Sequence, residues 1–284
     1  MTTLVIGARG SVGRHVVDRL LAAGEPVRAS VRNPATADLP AGVPVAAADL
    51  TRPETLAPAL RGVRKVFAYA PTEGADAFAA AASEAGVEHV VLLSSGSVLL
   101  PSANGNPIAE EHRAVEATMA ASGLRWTPIR PLVLATNALN WAGAIRDEGV
   151  VRLVHPEAKT APIHERDVAA VAVAALLGQD DVDGMLTGPR LLSQRKQVEL
   201  IGAAAGRPVR IEELAESEAR RRFGRFEKPE VVDAILAFIA DAARGGSPAT
   251  GTVERVLGRP GIEFAHWADE HFRPGTAEAG RQQL

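Results

Sequence analysis

The chain has 284 residues, enough for one large domain or one domain with a smaller lobe. Its net charge of −3 excludes a general electrostatic attraction to nucleic acid or to an anionic membrane. With no cysteine, it excludes disulfides, thiolate catalysis and cysteine-held metal.

Thr3 to Ile6 is a short, β-branched, apolar run and reads as a buried strand. Gly7, Gly10 and Gly13 follow at three-residue spacing, with Arg9, Ser11 and Val12 between them. Val12 to Leu21 reads as a helix whose Val12, Val16, Val17, Leu20 and Leu21 share one face. Strand, glycine turn and helix in that order form a dinucleotide-binding fingerprint. Gly7 permits the tight turn, Gly10 lets backbone approach a pyrophosphate, and Gly13 lets the helix pack on the strand. The N–H groups and the positive dipole end of the helix then face the phosphates.

Pro26 to Val31 reads as the second strand. A residue roughly 20 positions past the fingerprint selects the dinucleotide: a carboxylate bonds a ribose 2′-OH, an arginine a 2′-phosphate. Here it is Arg32, with Arg9 in the glycine turn able to close on the same phosphate. The pair favours NADP(H) over NAD(H) as cofactor, with plain solvated arginines as the alternative. Val43 to Ala48 is the third strand and ends in Asp49 and Leu50, both assigned to the cofactor. Asp49 either bonds the adenine amino group or caps the next turn, and the two are compatible. A helix over Glu54 to Leu60 and a fourth strand over Val63 to Ala70 come next. Ala70 and Pro71, where that strand stops, run beneath the nicotinamide-side ribose. Ala75 to Ala85 is an alanine-rich helix.

His89 to Leu93 is the fifth strand, with Ser94, Ser95, Gly96 and Ser97 at its carboxyl end, where ligands sit in an open parallel sheet. Ser94 is assigned to the cofactor, and Ser97 to the substrate. Ser95 is a candidate catalytic hydroxyl, with a plain strand-end turn as the alternative. Pro107 to Ser122 reads as a helix with proline at its start and Gly123 just past its end. Arg125 to Pro131 is the sixth strand, and Pro131 and Leu132 are further cofactor contacts. Strand and helix alternate to about residue 131, the pattern of a doubly wound parallel sheet.

The spacing then changes. A helix is expected over Asn137 to Arg146, a strand over Val150 to Val154, and a helix over Arg166 to Leu177, capped by Asp167 or its neighbours. Met185 to Gly188 returns to the sheet. Gln194 to Ala205, Glu212 to Arg222, Pro229 to Ala243, Thr252 to Leu257 and Ile262 to His271 read as helices. The division is a core over 1–131, an interleaved remainder and substrate lobe over 132–273, and a disordered tail over 274–284. Asn137 and Trp141 share a helix face and are assigned to the substrate, Trp141 with core packing as the alternative. The histidines lack metal-ligand spacing, so no metal is expected. Without a signal-like or membrane-spanning run, the expected location is cytoplasmic, as a monomer or homodimer acting on a small molecule.

The segments GARGSVG, VRNP, ADL, LLSSGS, SGLRWTPIRP, RDVAAVA, TGPRLLSQRKQVELIGAAAGRPV and VERVLGRPGIEF together resemble the atypical short-chain dehydrogenase/reductases, more narrowly the NmrA-like group. The resemblance covers nearly the whole chain. It implies a Rossmann-type α/β fold with a smaller, mostly helical C-terminal substrate lobe. It also implies an NADPH-dependent reductase of quinones, enones or similar carbonyls, or an NADP(H) sensor without turnover, or a helper in small-molecule biosynthesis. The tyrosine-type members carry a tyrosine with a lysine four residues later on one helix face. This chain departs from that pattern: its one tyrosine is Tyr69, and no lysine lies between Lys65 and Lys159. The helix over Pro107 to Ser122 offers His112 and Glu116 instead, also four apart. Imidazole ordinarily titrates near neutrality, so His112 is the candidate acid and Glu116 its orienting partner. The alternative is an exposed helix pair.

Overall fold

The computed structural model describes residues 1–33, 39–71 and 73–275. Apart from Pro274 and Gly275, the tail expected to be disordered lies outside the described residues. The strands are, in chain order, β1 (Thr2–Ile6), β2 (Val27–Val31), β3 (Val45–Ala47), β4 (Val63–Tyr69), β5 (His89–Leu93), β6 (Trp126–Pro131), β7 (Val150–Leu153), β8 (Lys159–Thr160), β9 (Met185–Leu186), β10 (Leu192–Ser193) and β11 (Arg210–Glu213). The α-helices are α1 (Gly13–Ala22), α2 (Leu56–Leu60), α3 (Ala75–Glu84), α4 (Pro107–Ala121), α5 (Ala142–Asp147) and α6 (Glu165–Leu176). They continue with α7 (Gln194–Ala204), α8 (Glu216–Phe223), α9 (Pro229–Ala243), α10 (Thr252–Leu257) and α11 (Phe264–Phe272).

The chain divides into two compact units. The first comprises Met1–Pro131, Glu165–Leu186 and Thr252–Arg259. It holds a seven-stranded sheet in the order β3-β2-β1-β4-β5-β6-β9. Every neighbouring pair is parallel. Parallel strands need crossovers, and the helices that supply them cover both faces, which is why the central strands are apolar on both sides. In β1, Leu4, Val5 and Ile6 are all buried. One face of the sheet packs Leu4, Ile6, Val66, Ala68, Val90 and Leu92 against Leu56, Leu60, Phe78 and Met119 of α2, α3 and α4. Each of these side chains larger than alanine contributes roughly 1.5–3 kcal/mol on burial. On the other face lie α1, which buries Val16, Val17 and Leu20, and α6, buried along nearly its whole length. Strand order reverses between β1 and β4, so a crevice opens at the carboxyl ends there.

The second unit comprises Leu132–His164, Thr187–Gly251 and Pro260–Leu284. Its core stacks Phe264 on Trp267, with ring centroids 5.0 Å apart. Val151, Leu153, Val198 and Ile201 surround them. A smaller cluster joins Val154 to Ala219, Val232 and Leu236.

Several expectations need correction. The helix expected over Glu212 to Arg222 begins late, because Arg210–Glu213 pairs in parallel with Val150–Leu153 as β11. Tertiary pairing overrides the helical propensity of the two glutamates there. Asn137 to Arg146 splits into a 3-10 stretch, Ala135–Trp141, and α5. Asp167 lies inside the first turn of α6 rather than ahead of it. It is fully buried and held by Arg259 at 2.7 Å. The short antiparallel pair β8 and β10 has only two residues per strand and left no periodic signal.

Candidate functional site

At the carboxyl end of β1 the chain turns through Gly7, whose φ of +75° belongs to the left-handed region. The Gly10 N–H donates to the Gly7 carbonyl at 2.8 Å and closes the turn. A Cβ on Gly13 would stand 2.1 Å from that same carbonyl oxygen, so only glycine lets α1 start this close to the strand. The N-cap of α1 is Val12, with no side-chain capping bond. An apolar N-cap brings no acceptor of its own, which suits a helix start that receives an external anion. Arg9 and Gly10 are exposed, and Ser11 is half-buried.

Arg32 is exposed just past β2. Asp49, past β3, accepts from the Thr51 N–H at 3.0 Å and from the Thr51 hydroxyl at 2.8 Å, both on Oδ1. It therefore caps the turn into the next helix. These bonds, with Arg32 and Arg52 nearby, hold its carboxyl below the usual carboxylate value. Leu50 is wholly buried in the core, so its side chain is no cofactor contact; its carbonyl packs on Gly74 at the start of α3. Ala70 is half-buried, its N–H bonded to the Leu93 carbonyl at 2.9 Å, and Pro71 is buried. Tyr69 closes β4 with its ring against Gly7.

The β5–β6 end is built differently. The Ser94 hydroxyl donates to Glu116 Oε1 at 2.6 Å. Arg130 of β6 donates to Glu116 through Nε at 2.9 Å and Nη2 at 2.7 Å, and through Nη1 to Asp183 at 2.9 Å. The Arg130 and Glu116 side chains are only 14% and 12% exposed. His112 bonds the Ile108 carbonyl through Nδ1 at 2.8 Å. Glu116 therefore does not orient His112: its two oxygens face the fork of Arg130, a bidentate geometry that a lone imidazole one helical turn away does not match. Ser94 is likewise turned to Glu116. Ser95 and Ser97 share a hydroxyl–hydroxyl bond of 2.9 Å, and Ser95 accepts from the Ser97 N–H at 3.2 Å, capping a single 3-10 turn. Pro131, the last residue of β6, is buried. Arg130 escaped the sequence reading because nothing local marks it; its partners are 14 and 53 positions away.

Leu132, Asn137 and Trp141 belong to the second unit. Leu132 is half-buried and Asn137 exposed. Trp141 packs against the Trp267 core. Among the described residues no group of three His, Asp or Glu side chains is placed to hold a metal.

A family model described as NAD(P)H-binding matches residues 7–179, starting at the glycine turn. The chain belongs to this family. It is 40% identical to the (4-alkanoyl-5-oxo-2,5-dihydrofuran-3-yl)methyl phosphate reductase of Streptomyces griseus, over 94% of this chain and 97% of that protein. It is 36% identical to the NAD(P)H azoreductase of Xenophilus azovorans, over 94% and 97%. It also matches the NADPH complex of the quinone oxidoreductase QOR2 from Escherichia coli, with a TM-score of 0.75 and 25% identity, over 94% of this chain and 99% of that one. The chain is thus an NAD(P)H-dependent oxidoreductase of the NmrA-like, atypical short-chain dehydrogenase/reductase group. The site fits the cofactor: a Cβ at Gly13 would fill the space the turn needs, and the helix start is uncapped. No described helix is long and apolar enough to cross a membrane.

Proposed function

We propose that the chain uses NADPH in preference to NADH and reduces a small conjugated acceptor, an unsaturated carbonyl compound or a quinone. The observation that carries this reading is the state of α4. Its Glu116 is neutralised by Arg130, and it bears no phenol–ammonium pair. An isolated ketone becomes a strongly basic alkoxide and needs a strong proton donor. A conjugated acceptor becomes a delocalised, weakly basic anion and does not. The names of the relatives agree: one is a reductase of a dihydrofuranone whose ring alkene is conjugated with an acyl group and the ring carbonyl, another is named for azo compounds, a third for quinones.

Gly7, Gly10 and Gly13 with the start of α1 would hold the pyrophosphate, and Arg32 the ribose 2′-phosphate. Bound NADPH supplies the hydride. With Nδ1 bonded to Ile108, His112 presents Nε2 as the nitrogen that exchanges a proton. One of the paired hydroxyls of Ser95 and Ser97 would donate to the substrate oxygen, the other donating to its partner.

The test is NADPH consumption against a quinone, an acyl butenolide, an azo dye and a simple ketone, with calorimetry of both cofactors. Turnover is expected with the conjugated compounds and not with the ketone. Turnover confined to the ketone, or tight NADPH binding without turnover on any of them, would overturn the reading. Arg32→Asp is expected to reverse the cofactor preference, since it repels the phosphate and accepts from a 2′-hydroxyl; equal affinity of the parent for both cofactors would contradict the role given to Arg32.

A further inference from the structure

Tyr69 is the one tyrosine of the chain, and it stands on β4 rather than on α4. Two carbons of its ring lie 3.3 and 3.5 Å from the place a Cβ would take on Gly7. The ring therefore lies along the backbone of the glycine turn. It is nevertheless 40% exposed, so part of the residue is open to solvent. Its hydroxyl is within electrostatic range of Asp49 and Arg32, past the ends of β3 and β2. Burial and the Asp49 charge raise the phenol above its ordinary value, with Arg32 opposing, so at neutral pH it remains a proton-bearing donor. One aromatic side chain thus lies against the glycine turn and within electrostatic range of Arg32.

We propose that Tyr69 is a specificity-determining residue of the cofactor site: its ring packs on the adenosine half of the dinucleotide, and its hydroxyl donates to the ribose 2′-phosphate beside Arg32. The inference rests on the NADPH reading above. An aromatic face gives the adenosine half apolar area that the glycines cannot. A hydrogen bond to a charged phosphate is one that a 2′-hydroxyl cannot repay.

A single tyrosine gives a single signal, so protein carrying isotope-labelled tyrosine rings reports on Tyr69 alone. Adenosine 2′,5′-bisphosphate should shift that signal, and further than nicotinamide mononucleotide does. Tyr69→Phe should weaken the bisphosphate about tenfold and leave adenosine 5′-monophosphate unchanged. A signal that stays put while calorimetry shows the bisphosphate bound, or a Phe variant that binds it as tightly as the parent, overturns the proposal. If the parent does not bind the bisphosphate at all, the NADPH reading itself fails, and this proposal with it.

Discussion

Around β1 the carboxyl edge of the sheet is shaped by backbone; around β5 and β6 it is shaped by charged and polar side chains. The first region works by omission. Gly13 has no Cβ, because 2.1 Å away stands the Gly7 carbonyl oxygen, and Val12 contributes no cap. The second works by pairing. Ser94, Glu116, Arg130 and Asp183 form a chain of bonds that ties β5, α4 and β6 to the segment before β9. The same strand pair is stitched at its other end by His89 and Thr127, 2.8 Å apart. Each region is fragile in its own way: the first fails when atoms are added, the second when atoms are removed.

If the chemistry resides in the second region and cofactor binding in the first, His112→Ala should separate the two. Turnover is expected to fall about 10²–10⁴-fold, the usual value of a general acid, with NADPH affinity nearly unchanged. Full activity in the variant would assign protonation to water. Stopped-flow and calorimetry on the same preparation read both quantities.

Deleting one partner of the buried pair should cost more than deleting both. Glu116→Ala strips the bidentate partner from the buried Arg130 guanidinium, leaves it only the exposed Asp183, and is expected to lose about 3 kcal/mol in urea unfolding. The double variant Glu116→Leu with Arg130→Met should recover most of that. Equal losses in the single and double variants would show that packing, not charge, matters there.

Addition is the corresponding test of the glycine turn. Gly13→Ala is expected to cost about 1–3 kcal/mol by overpacking, and to abolish measurable NADPH binding, because it displaces the helix start proposed to hold the pyrophosphate. A variant that binds NADPH as tightly as the parent would contradict the account.

His89 gives the smallest effect. It is 3% exposed, and burial, reinforced by Arg125 and Lys65, depresses its imidazole from 6.5 to about 4. The folded state then binds fewer protons than the unfolded chain between those values. Stability is full above about pH 6.5 and is lost as the pH falls toward 4, by about 2 kcal/mol at pH 5. His89→Asn should flatten that part of the profile in urea unfolding; an unchanged slope would place the acid sensitivity elsewhere.

The sequence alone was sufficient for the features that local chemistry determines. Glycine spacing after an apolar strand marked the tight turn into α1, and β-branched runs alternating with amphipathic ones set out the parallel sheet, with Thr2–Ile6 between its second and fourth strands. Pro229–Ala243, Thr252–Leu257 and His89–Leu93 were legible to the residue, because proline, charge and apolar run coincide at their ends. Tertiary structure alone decided what depends on distant partners. Glu116 has the same local spacing to His112 whichever way it turns, and only the approach of β6 brings Arg130 to claim it. Tyr69 reads as one more strand residue until the fold lays it against Gly7, 62 positions earlier in the chain by their numbers. Likewise Glu212 and Glu213 favour a helix until β7 offers them a ladder to join. Backbone constraints are written within a few residues of where they act; a charge or a ring takes its role from whatever the fold brings within reach.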